Sequence, residues 1–252
     1  MAGDNRRTFT FNPGALSAVS SRSKNISQVI TDALIAGYWL PGERINDLEL
    51  ANLLHVSRIS VREALTSLVE RKVVEKVHWK GYFVRKLTLE EVQSIIEVRT
   101  TLEELAVTKL LANKNQDIFG EMRESIERSA RELKANNYPQ YMSTDFEFHE
   151  LIYKGSGNLW IKVIIDDLRL QISLLRNLSM VEDFRRAGQD SIRDHRLIFE
   201  KLEAGDKRGA IVLLHKHFDT QYRNIEETYG QLDKMIRTGV EDRSFELPGQ
   251  SR

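Results

Sequence analysis

The chain has 252 residues, of which 41% are hydrophobic and 29% charged, and it contains no cysteine. This length suits two domains of ordinary size, the missing cysteines exclude disulfides and thiolate ligands, and no apolar run approaches the roughly 20 residues that cross a bilayer. The N-terminus lacks an apolar signal core, so we expect a cytoplasmic protein. Residues 1–86 hold 13 basic against 8 acidic side chains, while residues 87–252 hold 24 against 29. A basic N-terminal part followed by an acidic C-terminal part favours a nucleic-acid-binding module at the N-terminal end.

The first predicted elements are two helices. Residues 1–24 show no periodicity and are expected to form a mobile tail. Apolar side chains at helical spacing then predict a helix from about Asn25 that ends before Pro41-Gly42. A second, short helix follows, with Asp47 as its N-cap and Leu48 facing inward. A tight turn at residues 55–57 closes this pair.

A third helix carries the most informative pattern of the chain. Its apolar side chains recur at helical spacing and predict a core face, formed by Val61, Leu65, Leu68 and Val69. Arg58 and Arg62 are four residues apart, so they share a different, outward face. Arginine is suited to bridging phosphates and to gripping guanine edges in the major groove. The alternative for such a pair is a solvated helix face.

Two β-prone segments come next, between Val73 and Val84. They flank Lys80-Gly81, which predicts a hairpin. Three helices and a terminal hairpin make a winged helix-turn-helix domain over residues 25–86.

The rest of the chain is predicted to be helical. Amphipathic segments separated by short breaks indicate an antiparallel bundle of six or seven helices over residues 88–232, followed by a C-terminal tail at 233–252. The six segments lie at about 88–112, 115–136, 139–154, 158–178, 181–204 and 206–231.

Four side chains of this bundle are candidate metal ligands: Asp145, His149, His195 and His217. Asp145 and His149 are four apart on one helix, so both can face one cavity. Three imidazoles and a carboxylate suit a divalent ion of the Zn, Ni or Mn type. Ordinary core or surface histidines are the alternative. No further Glu or His is placed by pattern as a general base, so the chain is predicted not to be an enzyme.

The order helix, PGERI, helix, VSRISVREAL, hairpin over residues 26–85 resembles the GntR family of bacterial transcription regulators. The resemblance implies that Arg58 and Arg62 contact bases and phosphates of double-stranded DNA. It also implies that Ser57 and Ser60, at the helix start, face the DNA backbone. Lys80 and Gly81 would place the wing tip in the minor groove, and Arg44 would make one further phosphate contact.

The chain departs from the usual family pattern at two places. Ile59-Ser60 stand where Thr-Pro is common, and Ser60 with Glu63 has the spacing of a capping box, so we expect the helix start to shift by one residue. Lys72 stands where the family commonly has glycine, and a left-handed conformation there would cost about 1 kcal/mol.

Residues 90–230 resemble the FCD domain, the all-helical effector domain of the FadR-type subfamily, through DFEFHELI, DHRLIFEKLEAGD and LLHKHF. The resemblance implies that Asp145 and the three histidines bind a metal and that a small organic acid approaches it. It also implies that Arg99 faces the effector pocket, with a salt bridge to Glu103 as the alternative. Arg176 and Asn177 are placed near the same pocket.

The sequence therefore predicts a homodimeric, ligand-responsive repressor of a metabolic operon that reads a palindromic operator. An acid bound at the metal pocket would change the spacing of the two DNA-binding heads. One alternative is a constitutive DNA binder with a purely structural metal. Another is a metal-dependent enzyme.

Overall fold

The computed structural model describes residues 26–35, 38–113, 117–179 and 184–242. The tail predicted for residues 1–24 lies outside these ranges. The described residues form two compact units, with boundaries after Leu87 and before Glu227. We call the residues up to Leu87 the winged unit and Thr88–Glu226 the helical unit; residues from Glu227 onward group with the winged unit.

The winged unit confirms the predicted winged helix-turn-helix. It has three described helices and a small antiparallel sheet in the order β1-β3-β2. Its elements are α1 (Ile26–Ile35), β1 (Arg44–Ile45), α2 (Asp47–Leu54), α3 (Arg58–Glu70), β2 (Val74–Val77) and β3 (Gly81–Val84).

The core of this unit forms where α3 packs against α1, α2 and β2. Val61, Leu65 and Leu68 repeat at helical spacing on α3 and are fully buried, as their spacing predicts. Ile30 and Leu34 of α1 are buried to the same degree. This packing leaves the opposite side of α3 exposed.

The start of α2 differs from the prediction. Asn46, not Asp47, is the N-cap, because its side-chain oxygen accepts hydrogen bonds from the backbone N–H groups of Leu48 and Glu49. Leu48 is half exposed, and Leu50 faces the core instead. The amide of Asn46 takes over the capping role, which frees the Asp47 carboxylate for other partners.

The start of α3 does not shift to Ser60. Ser57 is the N-cap, and its hydroxyl accepts from the Ser60 backbone N–H at 3.0 Å. Position 59 therefore lies within the first turn, where a hydroxyl would not serve as the cap. At the other end of the helix, Lys72, which stands where the family commonly has glycine, has a left-handed conformation with φ 57°.

The hairpin turn lies slightly earlier than predicted. Val77 pairs with Gly81, so Gly81 is the first residue of β3 and the turn comprises residues 78–80. Trp79 has φ 61° at the tip, and its side chain is 93% exposed. Gly81 has φ 104°, a conformation that glycine adopts without strain.

The remaining described residues form six helices, as predicted. They are α4 (Leu89–Asn113), α5 (Asp117–Lys134), α6 (Tyr138–Gly155), α7 (Leu159–Ser179), α8 (Phe184–Glu203) and α9 (Lys207–Asp242). Helix α6 packs against α4, α5, α7 and α8, and α5 also packs against α8. Helix α6 therefore lies at the centre of the helical unit.

Helix α9 is longer than predicted. It continues to Asp242 instead of ending near residue 231, so a large part of the predicted tail at 233–252 is helical. Residues 231–238 contain neither proline nor glycine, and such a stretch holds no strong helix-breaking signal. None of the helices described is long and apolar enough to span a bilayer.

Candidate functional site

The outward face of α3 presents the two predicted DNA-reading arginines. The side chains of Arg58 and Arg62 are 50% and 55% exposed. Both are held by Asp47 at the start of α2. Arg58 donates from Nε and Nη2 to the two Asp47 carboxylate oxygens at 3.0 and 2.9 Å, and Arg62 donates from Nε at 2.7 Å. These hydrogen bonds lower the pKa of Asp47, with the bond from Arg58 as the main cause.

The other predicted DNA contacts surround this helix start or lie in the wing. The hydroxyls of Ser57 and Ser60 are 2.8 Å apart at the first turn of α3. Lys80 is exposed in the hairpin turn. Arg44 is exposed on β1, and a Cβ built at Gly81 would lie 3.7 Å from its Nε atom. The described winged unit thus presents all seven residues at the start of α3, on β1 or in the wing.

The three predicted metal-binding histidines come together in the helical unit. His149 is on α6, His195 on α8 and His217 on α9, and one ligand atom of each lies within 4.8 Å of the others. The Nε2 atoms of His149 and His195 are 3.1 Å apart. All three rings are buried, and Phe148 stacks on His195 with ring centroids 4.3 Å apart.

Each of these imidazoles has a carboxylate beside its Nδ1 atom. Glu103 lies 2.8 Å from Nδ1 of His149, and Asp194 lies 3.5 Å from Nδ1 of His217. Asp145 Oδ1 lies 3.6 Å from Nδ1 of His195, which has no hydrogen-bond partner among the described residues. Asp145 is therefore next to the cluster, on the side of His195 away from the paired Nε2 atoms.

Burial keeps two of these rings neutral. Desolvation is the main cause that lowers the pKa of His149 and His195 well below the usual value of histidine. Arg99 lowers the pKa of His149 further, while the charge of Asp145 opposes the shift at His195. Neutral imidazole is the form that binds metal ions.

Arg99 forms the salt bridge to Glu103 that the sequence left as an alternative. Its Nε donates to Glu103 Oε1 at 3.0 Å, and its Nη1 donates to Gln221 at 3.5 Å. The guanidinium lies 4.4 Å above the ring of Phe218 and is fully buried. Its Nη2 atom has no hydrogen-bond partner among the described residues. One nitrogen of this group thus remains unpaired beside the histidine cluster.

Arg176 and Asn177 are buried near the same centre, but both are engaged by protein groups. Arg176 donates to the Asp145 carboxylate and, at 3.1 Å, to the carbonyl of Met142. Asn177 accepts from the hydroxyl of Tyr138 at 3.0 Å. Burial disfavours the charged form of Asp145, yet Arg176, the largest opposing influence, holds its pKa below the usual range.

A small solvent-open cavity with a volume of about 20 Å³ adjoins the cluster. Its walls come from α6, α8 and α9 and include Asp145, Ser191, Asp194, His217 and Gln221. Gln221 lines the cavity and also accepts from Nη1 of Arg99, so it lies between the cavity and the buried guanidinium. A small polar molecule in this cavity would meet His217 and Gln221.

Some site residues were not singled out from the sequence. The role of Asp47 was missed because eleven residues separate it from Arg58 along the chain. Asp194 was missed although it directly precedes His195, and that adjacency was the available signal. His215, two residues before His217, is exposed and lies 3.2 Å from Glu104, outside the cluster.

Comparison with known families matches both parts of the chain. Residues 22–84 match the bacterial regulatory proteins of the gntR family, and residues 94–220 match the FCD domain. A similar relative is the uncharacterized HTH-type transcriptional regulator YdhC of Bacillus subtilis, at 28% identity over 74% of this chain and 84% of that protein. The gluconate operon transcriptional repressor of Bacillus subtilis is 24% identical over 82% of this chain and 86% of its own length.

A solved structure has the same fold over most of the chain. It is a GntR-type transcriptional regulator from Rhodococcus sp. RHA1, with a TM-score of 0.68 at 21% identity, covering 85% of this chain and 98% of that one. These families and relatives are transcriptional regulators rather than enzymes, which confirms the prediction that this chain is not an enzyme. The chain belongs to the GntR family of bacterial regulatory proteins, as a DNA-binding transcriptional regulator with a C-terminal FCD domain.

Proposed function

We propose that the protein is a homodimeric, cytoplasmic repressor that releases its operator when a small carboxylate binds beside a divalent metal in the helical unit. The observation that carries this proposal is the buried cluster of His149, His195 and His217, in which every ring is backed by a carboxylate. Metal-ligating histidines characteristically have such a partner on their second nitrogen. The name of the gluconate operon repressor supports both the sign of regulation and the class of ligand.

The hydrogen bonds of the cluster favour a bound ion. His149 must carry its proton on Nδ1 to donate to Glu103, so its Nε2 accepts from Nε2 of His195. Nδ1 of His195 then has no proton and faces the negative charge of Asp145 without a hydrogen bond. An ion between the two Nε2 atoms would remove this conflict, because both rings would then carry their protons on Nδ1.

The distance between these atoms also suits an ion. Two nitrogens that each lie about 2.1 Å from one ion are about 3.0 to 3.4 Å apart for octahedral or tetrahedral angles. The observed separation of 3.1 Å falls in this range. We assign His149, His195 and His217 as ligands, with Zn, Ni or Mn as the class of ion. Asp145, which the sequence predicts as a fourth ligand, instead faces Nδ1 of His195 and would accept the proton of that nitrogen. The ion would supply positive charge for an acidic ligand.

Metal content tests this assignment. We expect about one divalent ion per chain for the wild type and a large loss for His195→Ala, measured by elemental analysis of protein purified without chelator. His215→Ala is the matched control, because His215 is exposed and lies outside the cluster. Equal metal content in the wild type and His195→Ala would refute the site.

Arg99 is the proposed partner of the effector carboxylate. Gln221 lines the cavity and accepts from the Nη1 atom of Arg99, and a carboxylate that displaced Gln221 would gain this guanidinium, whose Nη2 atom has no hydrogen-bond partner among the described residues. A guanidinium binds a carboxylate through two parallel hydrogen bonds, so the pairing would favour organic acids over neutral molecules. Arg176 and Asn177 would act mainly by holding Asp145 and Tyr138 in place.

A thermal-shift comparison tests the ligand class. Gluconate should raise the unfolding temperature of the metal-loaded protein, whereas sorbitol, which lacks the carboxylate, should not. Gluconate should also weaken the binding of a DNA duplex that the wild type selects from a random library. Arg99→Lys keeps the charge but loses the forked geometry, so it should reduce the response to gluconate more than the affinity for DNA. If no small acid changes DNA affinity, the protein is a constitutive DNA binder with a structural metal.

An apolar surface on α4 and α7 supports homodimer formation. These two helices pack together, and they expose large apolar side chains on the outside of the helical unit. Trp160 is 71% exposed, and the other members are Val98, Leu105, Leu159, Val163 and Ile164. Apolar surface of this kind is typical of a protein interface, and a second copy of the chain would cover it in a closed, two-fold assembly. Trp160→Glu should shift the protein from dimer to monomer in sedimentation velocity, while Lys162→Glu, at a neighbouring charged position, should not.

A further inference from the structure

We propose that Asp47 is a positioning residue that sets the sequence specificity of DNA binding by holding Arg58 and Arg62 together. Asp47 is the first residue of α2, and its carboxylate receives three charge-assisted hydrogen bonds from the two arginines of α3. Its side chain is only 12% exposed, while those of both arginines are half exposed. The carboxylate therefore lies behind the guanidinium groups, on their protein side.

The geometry leaves the outer edges of both arginines available. Asp47 uses the edge formed by Nε and Nη2 of Arg58 and the Nε atom of Arg62. The edge formed by Nη1 and Nη2 is the one that can donate two parallel hydrogen bonds to O6 and N7 of guanine. Because the inner edge is fixed, each outer edge is presented in a defined orientation, and less side-chain freedom is lost when a base is bound.

The negative charge of Asp47 lowers the affinity for nonspecific DNA. Nonspecific binding depends on the neutralisation of phosphates by Lys and Arg, and it strengthens with each available cation. An arginine that must swing toward a phosphate has to leave a short ion pair with Asp47. At the correct sequence the arginines bind from the orientation that Asp47 already holds. Asp47 thus weakens binding to arbitrary DNA and favours the correct site.

The position of Asp47 is not explained by helix capping. Asn46 caps α2, so Asp47 is not required for that purpose. Exposed Glu49 lies on the same helix and carries the same charge, but its described hydrogen bond is the one from its backbone N–H to Asn46. Glu49→Gln is therefore a matched control that removes one negative charge without disturbing the two arginines.

The test uses the full-length protein and two DNA probes. One duplex is selected from a random library by the wild type, and the other is a shuffled version of it. Fluorescence anisotropy at several salt concentrations gives both affinities and both salt slopes. For Asp47→Asn we expect affinity for the selected duplex to fall about ten-fold and affinity for the shuffled duplex to rise about three-fold, with a steeper salt slope on the shuffled duplex. Asp47→Glu should recover part of the specificity ratio.

Three results would overturn the proposal. The first is an unchanged specificity ratio for Asp47→Asn. The second is an equal change for Glu49→Gln, which would indicate a general charge effect. The third is an equal loss on both duplexes with a lower unfolding temperature, which would indicate that Asp47 only stabilises the fold.

Discussion

Neutralising Glu103 should destabilise the helical unit strongly, and neutralising Arg99 at the same time should restore much of the loss. Glu103 is fully buried and accepts hydrogen bonds from Arg99, Tyr153 and His149. Glu103→Gln leaves the buried guanidinium of Arg99 without its counter-charge. Breaking a buried ion pair from one side costs about 3–5 kcal/mol of unfolding free energy.

The double variant provides the sharper measurement. Arg99→Met alone leaves the Glu103 charge buried and should cost a similar amount, about 3–5 kcal/mol. When both substitutions are combined, neither charge remains, and the loss should be smaller than that of either single variant. The assay is urea unfolding of the helical unit followed by far-ultraviolet circular dichroism, with chelator present so that metal binding does not contribute.

A surface pair provides the control. Arg123 and Glu203 are 2.5 Å apart, but their side chains are 62% and 50% exposed. Glu203→Gln should therefore cost no more than about 1 kcal/mol. If the losses in unfolding free energy of Glu103→Gln and Arg99→Met simply add in the double variant, the two charges are not coupled. Our reasoning about the buried Arg99–Glu103 pair would then be wrong.

Two further changes probe the winged unit. Arg62→Ala should weaken binding to the selected duplex about ten- to hundred-fold, from the loss of a bidentate contact worth about 1–3 kcal/mol, without lowering the unfolding temperature; unchanged anisotropy titrations would exclude Arg62 from the contact. Lys72→Gly should raise the free energy of unfolding by about 0.5–1 kcal/mol, because Lys72 has φ 57° and an exposed side chain. Arg71→Gly, at φ −76°, should lower it instead. A stabilised Arg71→Gly or an unaffected Lys72→Gly would contradict the argument from backbone strain.

Local patterns were sufficient to predict most of the fold. Helix positions followed from apolar spacing and from breaks such as Gly205, which has φ 70° between α8 and α9. The hairpin followed from β-prone residues on either side of a glycine. Errors arose where two neighbouring residues could play the same part. Asn46 and Asp47 can both cap a helix, and the sequence does not show that Asp47 is drawn away by Arg58 and Arg62.

The histidine cluster and its partners were harder to predict from the sequence than the fold. His149, His195 and His217 come from three helices, and nothing in local spacing brings them together; their grouping was implied by the family resemblance and is present in the fold. The partners of those side chains were harder still to foresee. Arg99 with Glu103 is visible as a pair four residues apart, whereas the contact of Arg176 with Asp145 joins two helices.

The buried charges of the helical unit predict the order in which the proposed metal and acid would bind. Among its described residues, the buried acidic groups are Glu103, Asp145 and Asp194, and the buried basic groups are Arg99 and Arg176, which leaves one negative charge in excess when the histidines are neutral. In this low-dielectric surrounding, an incoming carboxylate would be repelled. A bound divalent cation would reverse the excess to one positive charge. Effector binding would thus require prior metal loading, and a cell starved of the metal would keep its operon repressed whatever the supply of the acid.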